Sequence, residues 1–173
     1  MPDLQAVGFD VVVILAFLFV VWYIGGALWQ RSVRASYVRS LGAAITALSR
    51  SHALPRIRWL GLSGFQLVLD DPVEPFTKVA VLTILAPREV LGLYLWTLVR
   101  RGGDSVVVRA DLRRRPHAAR EAEPDGEGVR RISVSNSSPH LIATLDPGWV
   151  RGRDPEGVAA AIARAGALAA QVT

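Results

Sequence analysis

The stretch VVVILAFLFVVWYIGGALW, residues 11–29, decides how this chain is organised. It holds 19 residues without a charged side chain, and as an α-helix it is roughly 28 Å long, close to the thickness of the hydrocarbon core of a bilayer. Trp22, Tyr23 and Trp29 gather towards its C-terminal end, as aromatic residues do at a membrane–water interface. A signal peptide fits poorly, because residues 1–10 contain two acids and no basic residue. The stretch predicts one transmembrane helix over 11–29.

The charges on either side of this helix predict its orientation. Residues 1–30 sum to −2, whereas residues 31–60 carry six arginines and no acid. Because arginine-rich flanks stay in the cytoplasm, residues 1–10 are expected outside the cell and the C-terminal part inside. Only Lys78 among the 20 basic residues is lysine, which is typical of a GC-rich genome. We therefore expect a single-pass protein of a prokaryotic cell membrane.

Residues 30–54 are predicted to form a basic, amphipathic connector helix that ends before Pro55. Arg31, Arg34 and Arg39 follow the membrane segment directly, where each gains about 1 kcal/mol beside anionic lipid. We assign them to the membrane interface together with the three aromatic residues. This helix is either a stalk that docks on lipid or a partner, or an ordinary topology signal that packs on its own domain, and we favour the second. Its narrow apolar face consists of residues at spacings of three and four, namely Val38, Leu41, Ile45 and Leu48.

Residues 55–173 are predicted to form a cytoplasmic α+β domain with a mostly antiparallel sheet of five or six strands and two helices on one face. The helices are expected to open at Pro87 and Pro155, since proline suits the first helical turn. Each helix follows two predicted strands, which gives a ββα-ββα pattern. Residues 57–71 are either one bent strand or a hairpin. The other predicted strands are 77–86, 105–112, 130–136 and 140–146.

Two segments of this domain are candidate contact regions. Residues 113–128 lack an apolar period and are predicted to be a mobile, charged loop. Its Arg113, Arg114 and Arg115 are candidate contacts for a partner or lipid. Residues 61–173 carry 14 basic and 13 acidic groups, so we expect these charges to screen one another and do not expect a nucleic-acid partner.

The helix predicted over residues 88–101 is apolar on nearly all sides, although a helix on a sheet needs only one apolar stripe. It is too short to cross a bilayer. Its outer face, with Leu93, Trp96 and Arg100, must therefore meet the connector helix, the bilayer surface or another subunit. Packing on the connector is the simplest of these. In the membrane segment, Gly25 and Gly26 either admit a partner helix or make the helix locally flexible.

Motifs for chemistry are scarce. The chain has no cysteine, which excludes disulfides and thiolate sites, and no phosphate-binding loop is present. The three histidines, at positions 52, 117 and 140, show no metal-ligand spacing and are expected at the surface or in loops. Asp70, Asp71 and Glu74 form an acidic cluster in a turn. We assign no catalytic, cofactor-binding or metal-binding residue.

These observations favour a membrane-anchored, non-catalytic accessory or assembly subunit of a larger membrane complex. Its expected partners are the lipid bilayer and a second protein or another copy of the chain. The alternative is a peripheral module that binds anionic lipid or RNA phosphates through the arginine-rich connector and loop. A third and weaker hypothesis is an enzyme that uses the acidic cluster on the open face of the sheet.

Overall fold

The computed structural model describes residues 4–61, 63–100, 102–122 and 127–171. Residues 1–3, 62, 101, 123–126, 172 and 173 lie outside this part of the chain; they include the last residue of the helix predicted over 88–101 and four residues of the loop predicted over 113–128. The helices are α1 (Leu4–Ala47), α2 (Leu91–Val99), α3 (Pro147–Gly152) and α4 (Pro155–Ala170). The strands are β1 (Arg56–Trp59), β2 (Gly64–Leu69), β3 (Phe76–Ile84), β4 (Ser105–Leu112), β5 (Arg120–Ala122), β6 (Val129–Val134) and β7 (Leu141–Leu145).

The chain divides into two compact units. Residues 1–34 and 86–103 form one of them, which we call the apolar unit. Residues 35–85 and 104–173 form the other, which we call the sheet unit. Helix α1 runs without a break over 44 residues and contributes to both.

The strands form one sheet in the order β1-β2-β3-β4-β7-β6-β5, and every pairing among the described strands is antiparallel. The predicted α+β class and the antiparallel character of the sheet are therefore confirmed, with seven described strands instead of five or six. Residues 56–69 form a hairpin, the second of the two alternatives considered for this region. Strand β5 lies within residues 113–128, so part of the segment expected to be a loop pairs with β6.

The helices differ from the predicted ββα-ββα pattern. Among the described elements, three strands precede α2, and four more lie between α2 and α3. Helix α2 begins at Leu91, so Pro87 lies outside it, and no side chain caps its N-terminus. Helix α4 begins as predicted, with Pro155 in its first turn and the Asp154 side chain accepting a hydrogen bond from the N–H of Gly157.

The core of the sheet unit includes one face of the sheet, against which α4 packs. On β3, Phe76, Val79, Val81 and Thr83 are buried in alternation with more exposed residues, as expected for a strand with one covered face. A Cβ on Gly166 of α4 would lie 2.1 Å from the Phe76 ring, so this helix approaches the sheet closely at that point. The C-terminal part of α1 also contributes buried residues, namely Tyr37, Leu41, Ala44, Ile45 and Leu48.

Candidate membrane interface

The N-terminal half of α1 exposes nearly all of its apolar side chains. From Phe9 to Trp29, the large apolar residues that are exposed are 46–70% accessible. This helix is long and apolar enough to cross a membrane, with a mean hydropathy of 2.6 over its most apolar window, of which 6% is buried. A helix in the core of a soluble protein would be covered, and soluble monomers rarely expose an apolar patch of this size. The exposed part of α1 is therefore the first component of a candidate site.

Aromatic side chains join α2 to this part of α1. The Tyr94 ring lies 5.8 Å from the Trp29 ring in an edge-to-face arrangement and 6.4 Å from the Trp22 ring. Such pairs are each worth about 0.5–1.5 kcal/mol beyond the apolar area that they bury. We call Trp22, Trp29 and Tyr94 the aromatic cluster. Tyr23, the third predicted interface aromatic, is 56% exposed.

Gly26 allows the backbone at residues 88–89 to approach α1 closely. A Cβ at this position would lie 2.4 Å from the carbonyl oxygen of Arg88 and 2.9 Å from the Cα of Glu89. A Cβ on Gly25 would have nothing within 4 Å. Gly26 thus lies against backbone from elsewhere in its own chain, a role that differs from both sequence alternatives.

Arg88 forms the polar edge of the contact. It is 7% exposed, and its Nη1 donates hydrogen bonds to Oε1 of Gln30 at 3.1 Å and to the carbonyl oxygen of Ala86 at 3.3 Å. Its guanidinium carbon lies 5.2 Å from the centre of the Trp29 ring. These contacts offset part of the cost of burying a charge. Gln30 and Arg88 were not among the predicted site residues, and their only signal in the sequence is that each lies beside an apolar segment.

The remaining surface of α2 is exposed. No residue of this helix is buried, and Trp96 is 55% exposed. Leu93 is 53% exposed as well, and which of the three expected surfaces covers this face stays a prediction. The Arg100 guanidinium lies 4.5 Å from the centre of the Trp96 ring, so these two predicted contact residues are neighbours.

The three arginines that follow the apolar segment are accessible to solvent. Arg31 and Arg39 are exposed, and Arg34 is partly exposed. The Nε of Arg39 donates to the carbonyl oxygen of Ala35, four residues earlier, at 3.4 Å. This local contact leaves most of the guanidinium able to meet an external anion.

Several arginines of the sheet unit form ion pairs with acids of the same unit. Arg113 pairs with Glu74, Arg130 with Asp146, and Arg131 with Glu121. Arg114 and Arg115 are exposed, and Arg114 and Arg113 line a cavity of about 310 Å³ together with Glu74 and Leu112. The structure thus supports the predicted mutual screening for three arginines of this region.

The acidic cluster at residues 70–74 is spread over separate ion pairs. Asp70 meets Arg56 and Lys78, whereas Glu74 meets Arg113. Among the described residues, no group of three or more histidine or acidic side chains is placed to hold a metal ion. Asp70 and Glu74 thus each engage an arginine from another segment of the sheet unit.

Two titratable residues of the sheet unit have structural roles. His140, expected at the surface or in a loop, is 8% exposed, and its Nδ1 accepts a hydrogen bond from the N–H of Leu112 at 3.1 Å. The backbone N–H of Trp149 and the guanidinium of Arg130 both hold the pKa of Asp146 below its ordinary value. Asp146 is the N-cap of α3, so its charge stabilises that helix start.

The features described above form an apolar surface with an aromatic cluster at one end and exposed arginines further along α1. An arrangement of this kind is suited to contact with lipid. The chain matches no protein-family model, no curated protein and no solved structure.

Proposed function

We propose that this chain is a single-pass protein of the cell membrane, with its N-terminus outside and its sheet unit in the cytoplasm. The observation that carries this proposal is the exposed apolar surface of α1, which is 6% buried over its most apolar window. In water, such a surface would be strongly unfavourable, at about 25 cal/mol per Å² of apolar area. A bilayer removes that cost.

The packing of α2 supports a permanent anchor over a cleaved signal peptide. Tyr94 contacts Trp22 and Trp29, and the backbone of Arg88 lies against Gly26. All three α1 residues belong to the apolar segment itself. Cleavage that removed this segment would leave Tyr94 and Arg88 without these contacts, so the fold has a use for the segment after insertion.

We further propose that the protein acts as a non-catalytic accessory or assembly subunit of a membrane complex. The enzyme hypothesis relies on the acidic cluster of Asp70, Asp71 and Glu74. The ion pairs of Asp70 with Arg56 and of Glu74 with Arg113 support a structural role for these two acids instead. The phosphate-binding alternative is less well supported, because Arg113, Arg130 and Arg131 are each paired with an acid.

Cysteine labelling tests the anchor and its orientation, because the natural chain has no cysteine. Phe9→Cys and Leu54→Cys place single thiols at positions that are 70% and 83% exposed. In intact cells that produce the full chain, a membrane-impermeant maleimide should label position 9 and not position 54. Both should react after lysis. Labelling of position 54 in intact cells, or release of the chain from membranes by alkaline carbonate, would refute the anchor as proposed.

Purification in a mild detergent tests the accessory role separately. We expect the chain from its native membrane to elute with a stoichiometric partner or as a defined oligomer. A strictly monomeric chain without a co-purifying protein would count against the accessory role and would leave the labelling result intact.

A further inference from the structure

The apolar surface of α2 has features that identify what covers it. Leu93, Leu95, Trp96, Leu98 and Val99 are each more than half exposed. The helix and its flanks carry no charged residue from Val90 to Val99. A helix on the surface of a soluble domain would instead carry polar residues on its outer side.

The aromatic cluster fixes the position of α2 along α1. Tyr94 contacts both Trp22 and Trp29, which are seven residues apart and therefore about 10 Å apart along the helix axis. Trp29 lies at the C-terminal end of the apolar segment. Tyr94 is consequently about 0–10 Å inside that end, a range similar to the 5–10 Å at which interfacial helices lie in a leaflet.

The course of the chain excludes a second crossing of the membrane. Helix α2 has nine residues, or about 14 Å of length, less than half of the hydrocarbon core. The strands on either side are paired, with Ile84 opposite Ser105. The chain therefore leaves and rejoins the sheet at one place, and a helix between those points must enter and leave a membrane on the same side.

Charged residues lie at both ends of the uncharged stretch. Arg88 and Glu89 precede it, and Arg88 is 7% exposed and hydrogen-bonded through its side chain to Gln30 of α1. Arg100 follows it and is exposed, with its guanidinium 4.5 Å from the centre of the Trp96 ring. Arginine reaches from apolar surroundings to the headgroups through its long side chain, and tryptophan prefers the same interface. Arg100 and Trp96 are therefore suited to the headgroup level at the C-terminal end of α2, whereas Arg88 ties the segment before α2 to α1.

We propose that α2 is embedded in the cytoplasmic leaflet beside α1, as a second membrane contact that does not cross the bilayer. Its occupant is lipid, because its exposed apolar surface continues that of the apolar segment against which it packs. This inference rests on the proposed anchor. The protein then contacts the membrane through two helices, of which only α1 crosses it.

Spin labelling of single cysteines tests this inference on the full chain in vesicles of phosphatidylcholine and phosphatidylglycerol. The test positions are Leu95→Cys and Leu98→Cys, whose exposed side chains leave room for a label. Phe17→Cys reports the apolar segment, and Leu54→Cys reports water. We expect positions 95 and 98 to collide with oxygen in preference to a water-soluble nickel chelate, at a ratio several-fold above that of position 54 and similar in direction to that of position 17.

The outcomes separate this inference from the anchor. If position 17 is lipid-exposed but positions 95 and 98 resemble position 54, α2 lies in water and the inference is wrong. If positions 95 and 98 are shielded from both reagents, protein covers α2, and spin–spin broadening would identify that protein as a second copy. If position 17 itself resembles position 54, the anchor fails and the inference fails with it. Matching circular dichroism of all four variants confirms that they are folded.

Discussion

Replacing Gly26 by alanine tests the packing of α2 on α1, and Gly25→Ala is the matched control. A Cβ on Gly26 would lie 2.4 Å from the carbonyl oxygen of Arg88, whereas a Cβ on Gly25 would have nothing within 4 Å. Both variants make the same change at adjacent positions of one helix. They therefore share the gain in helix propensity of about 1 kcal/mol that alanine has over glycine. Any difference between them measures the conflict with residues 88–89.

That conflict involves backbone, which cannot rotate aside as a flexible side chain can. The carbonyl of Arg88 must recede from 2.4 Å to at least 3.0 Å before the contact resembles those of real Cβ atoms. Overpacking of this kind costs about 1–3 kcal/mol, which lowers the population of the packed state by roughly 5- to 150-fold. We expect Gly26→Ala to release α2 and Gly25→Ala to leave it in place.

Fluorine NMR can measure this release. The chain has five tryptophans, so incorporation of fluorotryptophan into the full chain in micelles gives a small set of signals. Trp22 and Trp29 report their contact with Tyr94, whereas Trp59 and Trp149 are internal controls in the sheet unit. In the Gly26 variant, the first two signals should move to their positions in a Tyr94→Leu variant, and the control signals should not move. Identical spectra for the two glycine variants would refute the packing.

Two further predictions concern the sheet unit. Because the backbone N–H of Trp149 is the main cause of the lowered pKa of Asp146, the stability from this carboxylate is present above the ordinary pKa of 3.8 and is lost as the pH falls through the lower, folded value. We expect Asp146→Ala to lower the free energy of unfolding by about 1 kcal/mol at neutral pH and by progressively less in acid. A difference between the natural chain and the variant in urea unfolding that does not change with pH would contradict this. Gly166→Ala places a Cβ 2.1 Å from the Phe76 ring and should cost about 1–3 kcal/mol, whereas Gly152→Ala, which meets nothing within 4 Å, should not. Equal unfolding midpoints for these two alanine variants would show that the contact with Phe76 is not tight.

Local patterns predicted the elements that depend on local physics. Residues 57–71 alternate between apolar and polar side chains and contain the turn residues Ser63 and Gly64, so a hairpin was one of the two alternatives predicted there. The structure shows the hairpin. Pro155 predicted the start of α4, because proline suits the first helical turn, and in the structure Asp154 caps that turn without distant contacts. The same Asp-Pro pair occurs at residues 146–147 and begins α3. That helix was missed because it has only six residues and no apolar period to support the pair.

Contacts between distant residues could not be predicted in this way. Gln30 and Arg88 are 58 positions apart, and nothing in either neighbourhood specifies the other. The apolar character of α2 was evident from its sequence, since hydrophobicity is a property of each residue. Where α2 packs on α1 depends on how closely the backbone at residues 88–89 can approach. The absence of a Cβ at Gly26 allows that approach. Of the two small residues, only the structure distinguishes the one in contact from the one that is open.

The distribution of arginines supports an interpretation of the net charge of +5. In the sheet unit, Arg113, Arg130 and Arg131 are matched by acids that lie beside them. Exposed ion pairs contribute little to stability, about 0–1 kcal/mol each. They nevertheless cancel much of the positive electrostatic potential that would attract a polyanion. Arg31 and Arg39 are exposed instead, and residues 31–60 contain no acid. Residues 31–60 carry +6 and residues 61–173 only +1, so the excess positive charge lies directly after the apolar segment, where the anionic lipids of a membrane surface would meet it.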